Sequence, residues 1–281
     1  MYKNDKIVPG EKNVSNDIQT QNVTKDTFNW EVPVETVPIP SEGKVYPEGS
    51  VLCNRHVLEI KAMTAQEEDI LSSRALIQQG TVITHLIQSC LIDKTVDVQK
   101  MLLGDRNSLM VSVRITGYGS AYNADSMCPE CGVRSSQKYS LTDLEIKRLE
   151  IDPVLHGENR FSFTLPITGK EVHFKFLTGE DEEERNVTME RKKKMSPGMK
   201  VDAAVTSKLE QLILSIDGVT ERGKINQFIK NMPALDSRRL RAYIEKHEPG
   251  IDMSVWMSCP GCSNTSRVSL PIGSNFFWPS E

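Results

Sequence analysis

The sequence predicts an α+β fold built from two similar repeats that pack with pseudo-two-fold symmetry, and three observations support this prediction. Two Cys-x-x-Cys pairs, Cys128/Cys131 and Cys259/Cys262, lie 131 residues apart (259 − 128 = 131). Each pair has a proline after its first cysteine. The same order of turn, apolar strand pattern and helical patterns precedes each pair, so each half should contain a β-hairpin, helices and a cysteine knuckle.

Each half begins with a similar turn, Pro40–Lys44 in one and Pro166–Lys170 in the other. Both turns are followed by alternating apolar residues, which are typical of a half-buried strand. Each strand then leads into a capping-box pattern, Thr64-x-x-Glu67 or Thr178-x-x-Asp181. The capping boxes predict that a helix starts at the same place in both halves.

Further helices follow in each half. In the first half, residues 65–79 and 81–92 have helical patterns, and residues 117–127 are predicted to form a loop that leads into the first knuckle. The 131-residue offset also aligns Asp105 with Asp236 and Gly119 with Gly250. Each aspartate is placed to cap a helix and each glycine to end it.

The two knuckles predict a metal site. The Cys-Pro-x-Cys turn directs two thiolates at one ion, but two thiolates do not complete the tetrahedral shell of zinc. We therefore expect Cys128, Cys131, Cys259 and Cys262 to share one structural Zn²⁺ between the repeats. Since 127 residues separate Cys131 from Cys259 (259 − 131 − 1 = 127), such a site would join distant parts of the chain. Two unrelated turns and a redox pair are the alternatives, although neither pair has the strand-to-helix setting of a thioredoxin-like motif.

These patterns divide the chain into four parts. Residues 1–33 are polar and aperiodic and are expected to form a flexible arm. Residues 34–139 form the first repeat, 140–157 a linker, and 158–281 the second repeat with an aromatic C-terminal tail. Aromatic residues near both ends are candidate anchors for a partner protein, with packing into the chain's own core as the alternative for the tail. These residues are Phe28 and Trp30 in the arm and Phe276, Phe277 and Trp278 in the tail.

Composition narrows the function classes. The 281-residue chain has a formal charge of −4, so it has no overall basic character that would favour nucleic acid. It has neither an apolar run long enough for a membrane span nor the apolar core of a signal peptide, which favours a reducing compartment and zinc over disulfides. No phosphate-binding glycine loop, Gly-x-Ser-x-Gly or His-Glu-x-x-His is present. The sequence therefore predicts that the protein is not an enzyme.

Several segments resemble the baseplate hub family of T-even-type contractile-tailed bacteriophages. They are Ile39–Pro47, Met63–Leu71, Leu102–Asn107, Arg114–Gly119, the knuckle Cys128–Cys131 and the ending Leu270–Pro279. The resemblance implies a hub component or a factor needed for hub assembly, located in the tail baseplate of the virion after assembly in the host cytoplasm. It implies contacts with other baseplate and hub proteins, with the tape measure protein as a further candidate. It implies no catalytic residues, small-molecule substrate, membrane or nucleic acid.

Two other functions remain open at this point. An assembly chaperone for hub or tape-measure proteins would be absent from the finished particle. A nucleic-acid-binding zinc ribbon would carry basic residues around its knuckles, and only Arg134, Lys138 and Arg267 lie near them. A zinc-dependent hydrolase is a weaker alternative still, because four thiolates leave no open coordination position.

Overall fold

The computed structural model describes residues 31–195, 204–272 and 276–277. The first half contains β1 (Val34–Pro38), β2 (Val57–Lys61), α1 (Ala65–Ser72), α2 (Arg74–Gln79), α3 (Val82–Cys90), α4 (Leu103–Tyr118), β3 (Ala121–Met127) and β4 (Arg134–Ser140). Short 3-10 turns lie at Val98–Lys100 and Leu141–Asp143. The strand β5 (Glu145–Lys147) follows. The second half contains β6 (Phe161–Thr164), β7 (Glu171–Phe174), α5 (Gly179–Met195), α6 (Ala204–Leu212), β8 (Ile213–Ile216), α7 (Arg222–Asn231), α8 (Ala234–His247), β9 (Gly250–Asp252), β10 (Ser254–Ser258) and β11 (Thr265–Ser269).

The mixed α+β class is confirmed. The sheets are small and their strand pairs are antiparallel: β1 with β2, β3 with β4, β5 with β9, and β10 with β11, while β6, β7 and β8 form a three-stranded sheet. One continuous apolar core contains residues of both halves, including Leu109 of α4 and Leu240 of α8. A second, smaller cluster surrounds the buried cysteines of the two knuckles.

The initial turn of each half is held by the aspartate of its long helix. The Ser41 N–H and hydroxyl donate to the Asp105 carboxylate at 2.8 and 2.6 Å. In the second half, the N–H groups of Ile167 and Thr168 donate to Asp236 at 2.8 and 3.0 Å. The expectation that each aspartate caps its own helix is therefore wrong. Each lies in the first helical turn, but its buried carboxylate accepts from donors of a turn that is distant in sequence.

The capping boxes form as the sequence predicts. In the first half, the N–H of Thr64 donates to Glu67 at 3.0 Å, and Lys61 pairs with the same carboxylate at 2.7 Å. In the second half, the N–H of Thr178 donates to Asp181 at 3.0 Å. The second carboxylate also pairs with a lysine six residues upstream, Lys175, at 2.6 Å. The sequence motif thus fixes both helix starts and ties each to the strand before it.

Two local predictions differ from the structure. The helix expected over 65–79 is broken at Ser73, whose extended backbone (ψ 106°) separates α1 from α2. The loop expected before the first knuckle is instead the strand β3, in which alternate side chains are buried; the sequence obscures this pattern because small and polar residues occupy most positions. The segment 140–157 contains β5, which pairs with β9 and so connects the two halves.

Candidate metal centre

The two cysteine pairs lie at the tips of two hairpins. The hairpin of β3 and β4 carries Cys128 and Cys131, and the hairpin of β10 and β11 carries Cys259 and Cys262. The two hairpins are called the first and second ribbon. The ribbons meet at their tips, so that cysteines far apart in sequence come together.

Each knuckle is closed by the same backbone hydrogen bonds. In the first, the N–H of Cys128 donates to the Val133 carbonyl and the N–H of Gly132 to the Cys128 carbonyl, both at 2.9 Å. The same two bonds recur 131 residues later, from Cys259 to Asn264 and from Ser263 to Cys259, both at 2.9 Å. The residue after the second cysteine has a positive φ in both cases, 74° at Gly132 and 58° at Ser263. The two knuckles therefore have the same local conformation despite different residues.

The four thiols form a compact group. Their sulfur atoms all lie within 4.8 Å of one another. The distance is 3.8 Å from Cys128 Sγ to Cys262 Sγ and 3.5 Å from Cys131 Sγ to Cys259 Sγ. A tetrahedral zinc with Zn–S bonds of about 2.3 Å requires S···S separations of about 3.8 Å. The group therefore has the size and donor type of a four-thiolate zinc shell, and both of these sulfur contacts join one knuckle to the other.

The environment favours a thiolate at Cys259, whereas hydrogen bonds with neighbouring thiols outweigh the lowering effect of backbone N–H groups and raise the pKa of Cys131 to about 12 and also that of Cys262. The N–H groups of Cys262 and Gly261 point at the sulfur of Cys259 and lower the pKa of this thiol to about 6, from an ordinary value of 9.0. The Gly261 N–H lies 3.4 Å from that sulfur. Because the thiolate is the form that ligates a metal, these donors both prepare the ligand and orient it.

The first cysteine of each pair is buried and the second is exposed. Cys128 and Cys259 are 1% and 2% accessible, and they pack with Met257 and the partly buried Val268 under the knuckles. Beside this cluster, the Gln137 amide donates to the Ser258 carbonyl at 2.6 Å. The ribbons are thus joined by an apolar contact and a hydrogen bond as well as by the thiol group.

The aromatic residues predicted as partner anchors are not all placed by the structure. Phe276 and Phe277 are 0% and 4% accessible and belong to the chain's own core, which is the alternative given above for the tail. Their rings are therefore not exposed to a neighbouring protein in this conformation. Phe28, Trp30 and Trp278 lie outside the described residues.

Sequence reasoning did not single out Arg114 as an organising residue. This fully buried arginine of α4 donates to three backbone carbonyl groups, one of them on Phe276. The available signal was a lone arginine between Val113 and Ile115 in an otherwise apolar stretch. A charged residue in that position has to find buried partners if the helix face is packed.

Comparison with known proteins gives one match. A protein-family model described as T4 bacteriophage base plate protein matches residues 34–278. Neither the curated proteins nor the solved structures contain a significant match to this chain. In the described ranges, no helix combines the length and apolar character required to cross a membrane. Since the matched region covers most of the chain, including both cysteine knuckles, the chain belongs to the T4 bacteriophage base plate protein family.

Proposed function

We propose that this protein is a structural component of the baseplate hub of a contractile phage tail, built from two pseudo-symmetric repeats that one structural Zn²⁺ holds together. Membership of the base plate family over residues 34–278 carries the proposal, and it implies a place in the virion tail among other baseplate proteins. The hub position, the zinc and the symmetry are the parts that we propose.

Two of the segments that resemble the hub family meet in space. The segment Ile39–Pro47 supplies Tyr46, whose hydroxyl donates to Asp105 at 2.6 Å and accepts from the Leu102 N–H at 3.0 Å. Asp105 and Leu102 belong to the second such segment, Leu102–Asn107. Two segments that carry the resemblance are therefore joined by one buried contact, which shapes the first repeat.

The proposed zinc is supported by the donor set. Cys128, Cys131, Cys259 and Cys262 would all be ligands, which leaves no open coordination position, and a closed thiolate shell is the structural form of a zinc site. Binding would stabilise the folded chain because the unfolded chain does not hold the four sulfurs together. Its role would be rigidity, so we propose no catalytic function.

The proposed repeats are supported by three matched sets of contacts. The aspartate-held turns, the capping boxes and the knuckle hydrogen bonds recur in the same order in each half. The long helices α4 and α8 also begin 131 residues apart (234 − 103 = 131), at the offset that aligns the knuckles. We propose 34–139 and 158–281 as the repeats, 140–157 as a connector and 1–33 as an arm that contacts neighbouring baseplate proteins.

Quantitative mass spectrometry of purified phage particles tests the hub proposal. We expect peptides of this chain at a fixed ratio to other baseplate proteins, and we expect cross-links from lysines of this chain to hub subunits. Purified particles that lack the chain, together with its presence in infected cells, would contradict a built-in component and indicate an assembly chaperone. Cross-links confined to peripheral baseplate proteins would contradict the hub position alone.

A further inference from the structure

Each ribbon is followed by a segment that crosses to the other half. After the first ribbon, β5 pairs antiparallel with β9, at the root of the second ribbon, with Ile146 opposite Ile251 and Glu145 opposite Asp252. The side chain of Lys147 also donates to the Glu245 carbonyl in the last turns of α8, at 2.7 Å. This segment, called the first clasp, therefore binds to the second half.

After the second ribbon, the tail crosses in the opposite direction. The Tyr122 hydroxyl of β3 donates to the Pro271 carbonyl at 2.6 Å. The Phe276 ring meets the Tyr122 ring edge-to-face, with centroids 5.4 Å apart, and the Phe277 ring packs on that of Phe276 at 5.0 Å. The tail thus lies at the root of the first ribbon.

The two crossings occupy corresponding places. The 131-residue offset takes Glu145 to Phe276 (145 + 131 = 276) and Ala121 to Asp252 (121 + 131 = 252). Arg114 donates to the carbonyls of both Ala121 and Phe276, so the tail lies near Ala121 as β5 lies beside Asp252. The first clasp is the internal strand β5. The second clasp is the tail segment that contains Phe276 and Phe277.

Arg114 gives the tail its own binding site. Its guanidinium donates to the carbonyls of Gly119 at 2.6 Å, Ala121 at 3.0 Å and Phe276. The arginine is fully buried, so losing one of these acceptors would leave a charged donor poorly satisfied. The corresponding position in the second half is Glu245, where the direction is reversed and the clasp donates to the helix. In the first half, a buried arginine of the helix therefore holds a carbonyl of the tail. In the second half, a lysine of the clasp holds a carbonyl of the helix.

We propose that Arg114, Ala121 and Tyr122 form a peptide-binding site whose ligand is a segment with two adjacent aromatic residues. The chain's own tail fills it and closes a lock between the halves that does not depend on metal. The proposal uses the repeat alignment but not the hub assignment or the zinc. It can therefore fail while particle composition and metal content remain as expected.

A peptide-binding measurement on the full-length chain tests this site. The variant Phe276→Ala/Phe277→Ala removes both rings from the site, and the probe is a fluorescent peptide with the sequence of residues 270–281. We expect saturable binding to this variant and none to the wild-type chain, whose own tail occupies the site. A peptide with both phenylalanines replaced by alanine should bind at least about tenfold more weakly, since two buried aromatic contacts are lost.

Variants of arginine locate the binding. Adding Arg114→Gln to the double variant should abolish peptide binding, whereas Arg134→Gln, on the exposed face of β4, should leave it unchanged. Equal binding by wild-type and double variant, or binding that survives Arg114→Gln, would overturn the proposal.

Hydrogen exchange provides the second measurement if the double variant does not fold. In the milder variant Phe276→Leu, the amides of residues 119–122 should exchange at least about tenfold faster, because the tail no longer covers them. The amides of β9, under the other clasp, should be unchanged. Unchanged exchange at 119–122 would contradict the proposed lock.

Discussion

Both halves of the chain fasten a turn to a helix with a buried aspartate, yet the two aspartates have different partners. Within the described part of the chain, Asp236 accepts from backbone N–H groups alone, those of Ile167 and Thr168. Asp105 accepts one backbone N–H and two hydroxyl groups, from Ser41 and Tyr46. The backbone contact is common to both halves, whereas the side-chain contacts belong to the first half alone.

The difference comes from the length of the hairpin connection. Eighteen residues separate β1 from β2 (57 − 38 − 1 = 18), but only six separate β6 from β7 (171 − 164 − 1 = 6). The longer connection supplies Tyr46, which also satisfies the N–H of Leu102 before α4. Burial raises the pKa of Asp105 despite these hydrogen bonds, and burial also raises the pKa of Tyr46 well above its ordinary value. The two aspartates occupy corresponding positions in their halves. The length of the hairpin connection decides how many hydrogen bonds each aspartate accepts, and therefore how much stability it contributes.

The largest expected effect is on the free energy of unfolding, in a comparison of Asp105→Ala with Asp236→Ala. The first change leaves three donors unsatisfied in a buried place and should lower the free energy of unfolding by about 4 kcal/mol. The second leaves two partly buried N–H groups that water can reach and should cost about 2 kcal/mol. Urea unfolding of both variants measures the difference. Equal losses would mean that the hydroxyl partners of Asp105 add nothing.

The next largest effect is the pH dependence of the stability that the carboxylate of each capping box contributes. Burial alone raises the pKa of Glu67, but hydrogen bonds from Lys61, Ser89 and Thr64 outweigh it and lower the pKa to about 2. Because the folded pKa lies below the ordinary value of 4.5, the stability that Glu67 contributes is complete above about pH 4.5 and is lost as the pH falls towards about 2. Burial also raises the pKa of Asp181, but the contacts with Lys175 and Thr178 outweigh it, so the net shift is again a lowered pKa.

Glutamine and asparagine variants measure these contributions. At neutral pH, Glu67→Gln should cost about 2 kcal/mol and Asp181→Asn about 1 kcal/mol, since only Glu67 also holds the Ser89 hydroxyl of α3, at 2.6 Å. The Glu67 variant should also lose less stability on acidification than the wild-type chain does. Parallel acid titrations of the two proteins would contradict the account of Glu67.

The smallest expected effect is the change in stability when the positive-φ residue of each knuckle is replaced. Gly132 and Ser263 both have positive φ, a conformation that costs a residue with a side chain about 1 kcal/mol. Gly132→Ala should therefore destabilise the chain by about 1 kcal/mol, and Ser263→Gly should stabilise it by up to about the same amount. Thermal unfolding in the presence of zinc measures both. Shifts of the same sign would show that the two knuckles do not share one conformation.

Much of this architecture could be predicted from local patterns. The capping boxes, the cysteine knuckles and the α+β class depend on residues close in sequence, and they form as expected. The partners of Asp105 could not be predicted, because a helix cap and a distant turn offer a carboxylate the same kind of donor. The carbonyl partners of Arg114 depend on tertiary packing, which leaves no periodic signal. The strand β3 was missed because its buried positions include small or polar residues such as Ala124 and Ser126.

The central claim is that one metal ion joins the two halves through both knuckles, and native mass spectrometry with elemental analysis tests it most directly. The wild-type chain should carry one zinc, and Cys53→Ser, outside the site, should carry the same amount. Cys128→Ser/Cys131→Ser and Cys259→Ser/Cys262→Ser should each lose the metal entirely, because neither knuckle completes a shell alone. A wild-type chain without zinc, or a knuckle variant that keeps a full equivalent, would contradict the shared site.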